Sequence, residues 1–195
     1  EVEKTLGARA TPLTAIRAGI IIGPGGSSFK IVTSLVKNLP VMGCPQWTKS
    51  KNQPIDVFDV LALLKQCMGN PKTYNKNIEI GGKEVMTYKE LLQKTSKLMH
   101  KKRLIFSMPF FTVGLSKWWV SIFGNSDINF VAPLVESLKH KMIPNDEYSD
   151  LYSIDFTPIE TSIIRALTQK PPALPTFHQL NSEKNTVRSV QRIYN

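Results

Sequence analysis

An unbroken apolar run, Ile20, Ile21 and Ile22, leads directly into a glycine-rich turn at residues 23–26. A strand with one face in water alternates polar and apolar residues, so this run predicts a strand covered on both faces, as in parallel sheets. Residues 28–38 follow with their apolar side chains at helical spacing. A covered strand, a tight turn and a helix in this order predict an α/β fold.

Further segments alternate between short apolar runs and amphipathic stretches. Strands are predicted at residues 14–22, 54–57, 77–81 and 104–108. Helices are predicted at residues 28–38, with Ser27 or Ser28 as N-cap, and from a cap at Asp56 or Asp59 to Met68. A third helix is predicted to start at Thr87, where Glu90 completes a capping box, and two more at 110–123 and 130–139. A last helix is predicted to end at Leu167, with Thr157 as N-cap and Pro158 as its first residue.

Composition excludes several classes of protein. Hydrophobic residues make up 42% and charged residues 21% of the 195, which is typical of a globular chain. No apolar run is long enough to span a bilayer, and the net charge of +10 comes from scattered lysines and arginines without a nucleic-acid-binding motif. We therefore expect neither a membrane nor a nucleic acid as partner.

Cysteine and histidine are sparse. Cys44 and Cys67 form no C-x-x-C pair, and the three histidines lie far apart in sequence. This pattern predicts no metal site and no disulfide, and it favours a reduced, cytoplasmic setting.

Several phrases occur in a distinctive order: EVEKTL, TPLTAIRAGIIIGPGGSSF, QPIDVFDVLALL, NIEIGG, MTYKELL and the tail NTVRSVQRIYN. Together they resemble the C-terminal half of an extended or atypical short-chain dehydrogenase/reductase. More narrowly, the chain is similar to bacterial NAD(P)-binding oxidoreductases of the nucleoside-diphosphate-sugar epimerase type. The resemblance spans residues 1–168 and the tail.

The resemblance implies the last strands of a Rossmann-type sheet with a small, mostly helical substrate lobe, the N-terminal dinucleotide-binding half being absent. Residues 1–169 would be this portion. Residues 170–195 would be a proline-containing linker and the start of a further C-terminal region. We therefore expect the chain to be a piece of a longer polypeptide, and surfaces that should contact the absent half to promote self-association.

The family's chemistry needs parts that this sequence lacks. There is no G-x-G-x-x-G fingerprint, and the turn at residues 23–26 does not match it. The Tyr-x-x-x-Lys dyad would lie before Glu1, while Tyr74 and Tyr88 are followed four residues later by Ile78 and Leu92 instead of Lys. We therefore assign no catalytic residue, and we expect NAD or NADP to bind the full-length parent and not this chain alone.

The resemblance also assigns binding residues. Those beside the nicotinamide ring would be Ala18, Gly19, Ile20 and Ile21, and those facing the substrate would be Gly23, Pro24, Ser27 and Ser28. Trp47, in a proline-bearing loop, is a further candidate that could stack on a substrate ring. Glycine permits close backbone approach, and serine hydroxyls suit a phosphate or carboxylate. A tight strand-to-helix turn with a cap requires the same residue types, and a lone tryptophan commonly packs in a core, so these alternatives stay open.

Three charged residues have two interpretations each. Asp56 and Asp59 are candidates for a substrate or acid group, but a hydrogen-bond acceptor at a strand edge and a helix cap is the favoured interpretation. Arg17 is either an anion-binding group or the partner of a carboxylate.

The predicted function is NAD(P)-linked chemistry on a small or nucleotide-sugar substrate by the parent enzyme. The first alternative is a non-catalytic, dinucleotide-sensing regulatory or binding protein with the same fold. The second is a basic membrane-peripheral or scaffold module, which only the net charge and the adjacent Trp118 and Trp119 favour.

Overall fold

The structure is a computed structural model that describes residues 5, 7, 12–44, 46–108, 143–145 and 153–170. The strands are β1 (Ala15–Ala18), β2 (Ile21–Ile22), β3 (Val41–Cys44), β4 (Lys51–Asn52), β5 (Ile55–Asp56), β6 (Asn77–Ile80), β7 (Met86–Thr87) and β8 (Leu104–Ser107). The helices are α1 (Ser27–Asn38), α2 (Val57–Cys67), α3 (Tyr88–Leu98) and α4 (Ile159–Thr168), with 3₁₀ turns at Gln46–Lys49 and Pro71–Thr73.

Residues 15–22 form the central strand segment of the described fold. Its first part, β1, pairs in parallel with β6, and its second part, β2, pairs in parallel with β5. The N–H of Ile55 donates to the carbonyl of Ile20 at 2.9 Å, where the pairing partner changes. The predicted parallel α/β arrangement is confirmed, but the predicted single strand at 14–22 is divided because its two parts pair with different strands.

Two further strand pairs complete the described sheet structure. β3 pairs in parallel with β8, while β4 pairs antiparallel with β7. The side-chain Nε2 of Gln53 donates to the Gly82 carbonyl at 2.6 Å, so the loop after β6 is hydrogen-bonded to the loop between β4 and β5. This hydrogen bond links the β1–β6 pair to the β2–β5 pair, which share the central strand segment.

The helices cover the strands with apolar faces at helical spacing. The larger core lies where α1, α3 and α4 meet β2 and β3, and its largest fully buried side chains include Ile22, Met42, Leu91 and Ile163. A smaller core lies under α2 and consists of Ile55, Leu63, Ile78 and Ile80. Burying such aliphatic side chains stabilises the fold by about 1.5–3 kcal/mol each.

The helix starts agree only in part with prediction. The capping box of α3 is confirmed: the Thr87 N–H donates to Glu90 Oε2 at 2.6 Å, and the Glu90 N–H donates to Thr87 Oγ1 at 3.2 Å. The predicted Ser27 or Ser28 cap of α1 is wrong, because Gly26 occupies the N-cap without a side-chain bond. The predicted Thr157 cap of α4 is also wrong, because α4 begins at Ile159.

The predicted helices at 110–123 and 130–139 and the predicted region beyond residue 170 lie outside the described residues. None of the described helices is both long enough and apolar enough to cross a bilayer.

The capping box gives a first prediction. Thr87→Ala should lower the free energy of unfolding by about 1 kcal/mol at neutral pH, because the first turn of α3 loses its side-chain acceptor. The hydrogen bonds from Thr87 lower the pKa of Glu90. The stability that this carboxylate contributes is therefore present above its unfolded pKa, about 4.3, and is lost as the pH falls through its lower folded value.

Chemical denaturation between pH 3 and pH 7 measures both effects. The variant should show a smaller loss of stability on acidification than the parent chain. Thr33→Ala is the control, since the Thr33 hydroxyl donates within α1 to the Lys30 carbonyl and caps nothing. An acid dependence that Thr87→Ala leaves unchanged would contradict the prediction.

Candidate functional site

A cavity of about 190 Å³ lies at the carboxyl ends of β1 and β6. We call it the β1–β6 cavity, and it is lined by Arg17, Ala18, Gly19, Glu79, Ile80, Ile143 and Pro144. Ligands of open α/β sheets bind outside the carboxyl ends of the strands, so the position itself is suited to a ligand.

Two residues of opposite charge lie on neighbouring strands in the lining of this cavity. Arg17 and Glu79 are register partners on the parallel strands β1 and β6. The Oε2 atom of Glu79 accepts the Asn145 N–H at 3.3 Å, and this bond holds the segment 143–145 against the cavity. The β1–β6 cavity therefore combines a charged rim with an apolar wall.

A second concave region of about 140 Å³ lies where the turn after β2 meets the end of α4. We call it the α1–α4 groove, and it is lined by Gly23, Gly25, Gly26, Phe29, Lys30, Thr33, Lys37, Ala166 and Leu167. The β1–β6 cavity and this groove share no lining residue.

The turn that opens the groove depends on glycine for two reasons. A Cβ atom on Gly23 would lie 2.5 Å from Val57 Cγ1 and 2.7 Å from Val57 Cβ, so the turn passes too close to α2 for any side chain. Gly25 has a φ of 76°, which is the left-handed region that favours glycine. The Gly26 N–H donates to the Gly23 carbonyl at 3.2 Å and closes the turn.

Asp56 ties the neighbouring strand to α4. Its side chain is 1% exposed, and it accepts the Phe58 N–H at 2.8 Å as the N-cap of α2. Both of its carboxylate oxygens lie 3.0 Å from Nη1 of Arg165, whose guanidinium lies 5.0 Å from the centre of the Phe58 ring. A buried carboxylate is tolerated because its charge is paired and its oxygens are hydrogen-bonded.

Two more carboxylates hold the start of α4. Asp59 accepts the Thr157 N–H at 2.8 Å and the Thr157 hydroxyl at 2.9 Å. Glu84 Oε1 accepts the Ile159 N–H at 3.1 Å. The structural interpretation is therefore confirmed for Asp56, which ends β5 and caps α2, whereas Asp59 lies within α2 and binds Thr157 instead of capping a helix. Together these acids position the helix that forms one wall of the groove.

The structure separates the predicted binding residues. Ala18 and Gly19 line the β1–β6 cavity, whereas Gly23 lines the α1–α4 groove. The other predicted residues, Ile20, Ile21, Pro24, Ser27 and Ser28, line neither of these two regions. Trp47 lies in the 3₁₀ turn Gln46–Lys49, and its side chain is outside the described part of the chain.

Sequence reasoning missed Lys30, Lys37 and Glu79. The spacing of Lys30, Thr33 and Lys37 places them on one face of α1. That spacing could have indicated a polar face, but not that α4 lies beside it.

Burial moves the pKa of three described side chains away from the range that catalysis near neutral pH requires. Burial raises the pKa of Tyr88 to about 12, which opposes proton transfer near neutral pH. Burial also raises the pKa of the Cys44 and Cys67 thiols, so neither is an activated nucleophile. Among these residues no three histidine, cysteine, aspartate or glutamate side chains cluster as a metal site would require.

The fit of a dinucleotide is partial. The β1–β6 cavity has room for one ring-sized group, while pockets that enclose larger ligands measure about 300–1,000 Å³. Ala18 and Gly19 leave space for an aromatic ring, but the described residues include no G-x-G-x-x-G turn for a pyrophosphate. These residues could therefore contact the nicotinamide end of the cofactor alone.

Comparisons with known proteins reveal likeness in structure. No protein-family model matches the chain, and no curated protein matches it either. Gre2 from Candida albicans is 18% identical, with a TM-score of 0.51 over 85% of this chain and 46% of its own. RMD from Pseudomonas aeruginosa, complexed with NADPH, is 16% identical, with a TM-score of 0.39 over 47% of this chain and 33% of its own.

A third structure, UDP-N-acetylglucosamine 4-epimerase from Methanobrevibacter ruminantium M1 in complex with UDP-N-acetylmuramic acid, is 12% identical. Its TM-score is 0.46 over 85% of this chain and 48% of its own. The chain thus spans less than half the length of each of these three proteins. The likeness to Gre2 supports a mixed α/β, Rossmann-like fold.

The close approach of Gly23 to α2 gives a second prediction. Gly23→Ala should lower the free energy of unfolding by about 2–3 kcal/mol, because the added methyl group overlaps Val57. Gly26→Ala in the same turn is the matched control: its Cβ would lie 3.3 Å from the nearest atom, and about 1 kcal/mol or less should be lost. Urea denaturation measures both variants, and equal losses would contradict the prediction.

The buried ion pair gives a third prediction. Asp56→Asn keeps a helix cap but removes the charge that pairs with Arg165, so it should lower the free energy of unfolding by about 2–3 kcal/mol. Asp155→Asn is the control, because Asp155 is 98% exposed and lies 3.7 Å from Lys83. Such an exposed pair contributes little. Thermal unfolding measures both variants. If Asp56→Asn has the same melting temperature as the control, the Asp56–Arg165 pair does not stabilise the fold.

Proposed function

We propose that the chain is the substrate-side part of an NAD(P)-dependent reductase or epimerase that acts on a small or nucleotide-sugar substrate. In this proposal the N-terminal, dinucleotide-binding half belongs to a longer polypeptide. The chain alone neither binds a dinucleotide nor turns over a substrate.

One observation carries the proposal. Ala18 and Gly19, which the family resemblance assigns to the nicotinamide ring, line a cavity at the carboxyl ends of two parallel strands. The fold supports the position, because ligands of open α/β sheets bind at this edge. The small side chains at residues 18 and 19 leave room for a planar ring beside the backbone.

In such an enzyme the described residues would bind and orient, and they would not transfer protons. The nicotinamide would supply the hydride chemistry when bound. The wall formed by Ala18 and Gly19 would fix one face of the ring, and Gly23 would lie on the substrate side. The acid–base group would come from outside the described residues.

The alternative is a dinucleotide-sensing protein without turnover. Dinucleotide binding without hydride transfer in the longer polypeptide would decide for this alternative.

A fourth prediction tests the proposal. In the native longer polypeptide, Ala18→Leu should weaken NADH or NADPH binding at least about tenfold, because the larger side chain fills the cavity beside the ring. Quenching of protein fluorescence by the dinucleotide measures the affinity.

Ala62→Leu is the matched control, since Ala62 is exposed on α2 and lines neither the β1–β6 cavity nor the α1–α4 groove. It should leave the affinity unchanged. A longer polypeptide that binds neither dinucleotide, or an Ala18→Leu variant with the affinity of the control, would remove the proposal.

A further inference from the structure

The α1–α4 groove carries two lysines on one of its walls. Lys30 and Lys37 are seven residues apart on α1, so they lie about 10 Å apart along the same helix face. Neither ammonium group forms an ion pair within the described chain. Thr33 lies between them, and its hydroxyl is engaged with the Lys30 carbonyl.

The opposite wall and the floor are apolar. Ala166 and Leu167, from the last turn of α4, face the lysines across the groove, and Phe29 lies at its floor with 2% of its surface exposed. No acidic side chain is among the described residues that line the groove. The described residues that line the groove therefore do not compensate its positive charge.

Acids are available nearby, but they are used elsewhere. Asp56 pairs with Arg165, and Glu160 pairs with Lys94 at 3.3 Å. Asp59 and Glu84 bind residues at the start of α4. Neither they nor Asp56 line the groove beside Lys30 and Lys37. An apolar wall that faces unpaired cations matches a ligand with an apolar body and an anionic end.

The size of the groove limits that ligand. Its volume is about 140 Å³, and a cavity of about 150 Å³ accommodates benzene. A body of about six carbon atoms therefore fits against Phe29 and Leu167. The anionic group would extend from the body towards a lysine.

We propose that the α1–α4 groove binds a small organic anion, a carboxylate or phosphate ester with a compact apolar body. This anion would be the substrate of the enzyme proposed above. Only that assignment rests on the proposed function; the binding of an anion in the groove does not. Lys30 and Lys37 would hold the anion, and Ala166 and Leu167 would select for the size of the body.

Binding to the 195-residue chain is measured without any dinucleotide. Benzoate, phenyl phosphate and neutral benzyl alcohol are titrated into the ¹⁵N-labelled chain, and amide chemical shifts are followed. At least one anionic probe should bind saturably, with shifts at residues 23–30 and 166–167, and benzyl alcohol should bind more weakly. The probe that binds more tightly assigns the anion as carboxylate or phosphate.

Charge-removing variants make the assignment specific. Lys30→Gln and Lys37→Gln should each lower the affinity for the anion roughly threefold, and the double variant should lower it roughly tenfold, as expected for partly exposed ion pairs. Lys65→Gln is the matched control, because Lys65 is exposed on α2 and does not line the groove. Added salt should lower the affinity for the anion and leave the affinity for benzyl alcohol unchanged.

Melting temperatures separate binding from folding. Lysines that only support the helices would lower the melting temperature when replaced, whereas ligand-binding lysines should leave it within about 1 °C. No saturable binding by either anion, equal binding of benzyl alcohol, or an equal loss in Lys65→Gln would overturn the proposal. If neither anion binds, the proposed dinucleotide binding by the longer polypeptide is still tested by Ala18→Leu. If the dinucleotide does not bind, anion binding in the α1–α4 groove is still tested by the lysine variants.

Discussion

The carboxylate of Asp56 is the contact on which the arrangement of the described fold depends. It lies at the end of β5, beside Ile22 of the central strand segment, and it caps α2 while it pairs with Arg165, 109 residues further along the chain. A single buried charge thus fixes a strand end, a helix start and the position of α4. Because an unpaired buried carboxylate is costly, the three elements are stable in this arrangement only together.

Local pattern predicted most of the described elements. Apolar spacing located α1, and the capping box located the start of α3, to within one residue, because amphipathic periodicity and capping depend on neighbours in sequence. The division of residues 14–22 and the binding of Thr157 by Asp59 were not predicted, whereas the start of α4 differs from prediction by one residue. Both depend on distant partners: Ile20 on Ile55, and Thr157 on Asp59, which is 98 residues away.

Of the two concave regions, sequence reasoning named only Ala18, Gly19 and Gly23 among the candidate binding residues. These small residues lie in or beside an apolar run, and the family resemblance predicted a ligand near such a turn. Lys30 and Lys37 have the spacing of a solvated helix face, and only the packing of α4 beside α1 gives that face an apolar counterpart. The contribution of α4 could not be predicted because nothing local to residues 159–168 indicates where this helix docks.

The position of α4 also links stability to binding. Ala166 and Leu167 form a wall of the groove only while α4 is held by Asp56, Asp59 and Glu84. A ligand in the groove binds the docked state and not the undocked one, so it must stabilise the docking of α4 by the same free energy that docking adds to its affinity. The carboxylates that order the fold therefore also set the affinity of a groove that they do not line.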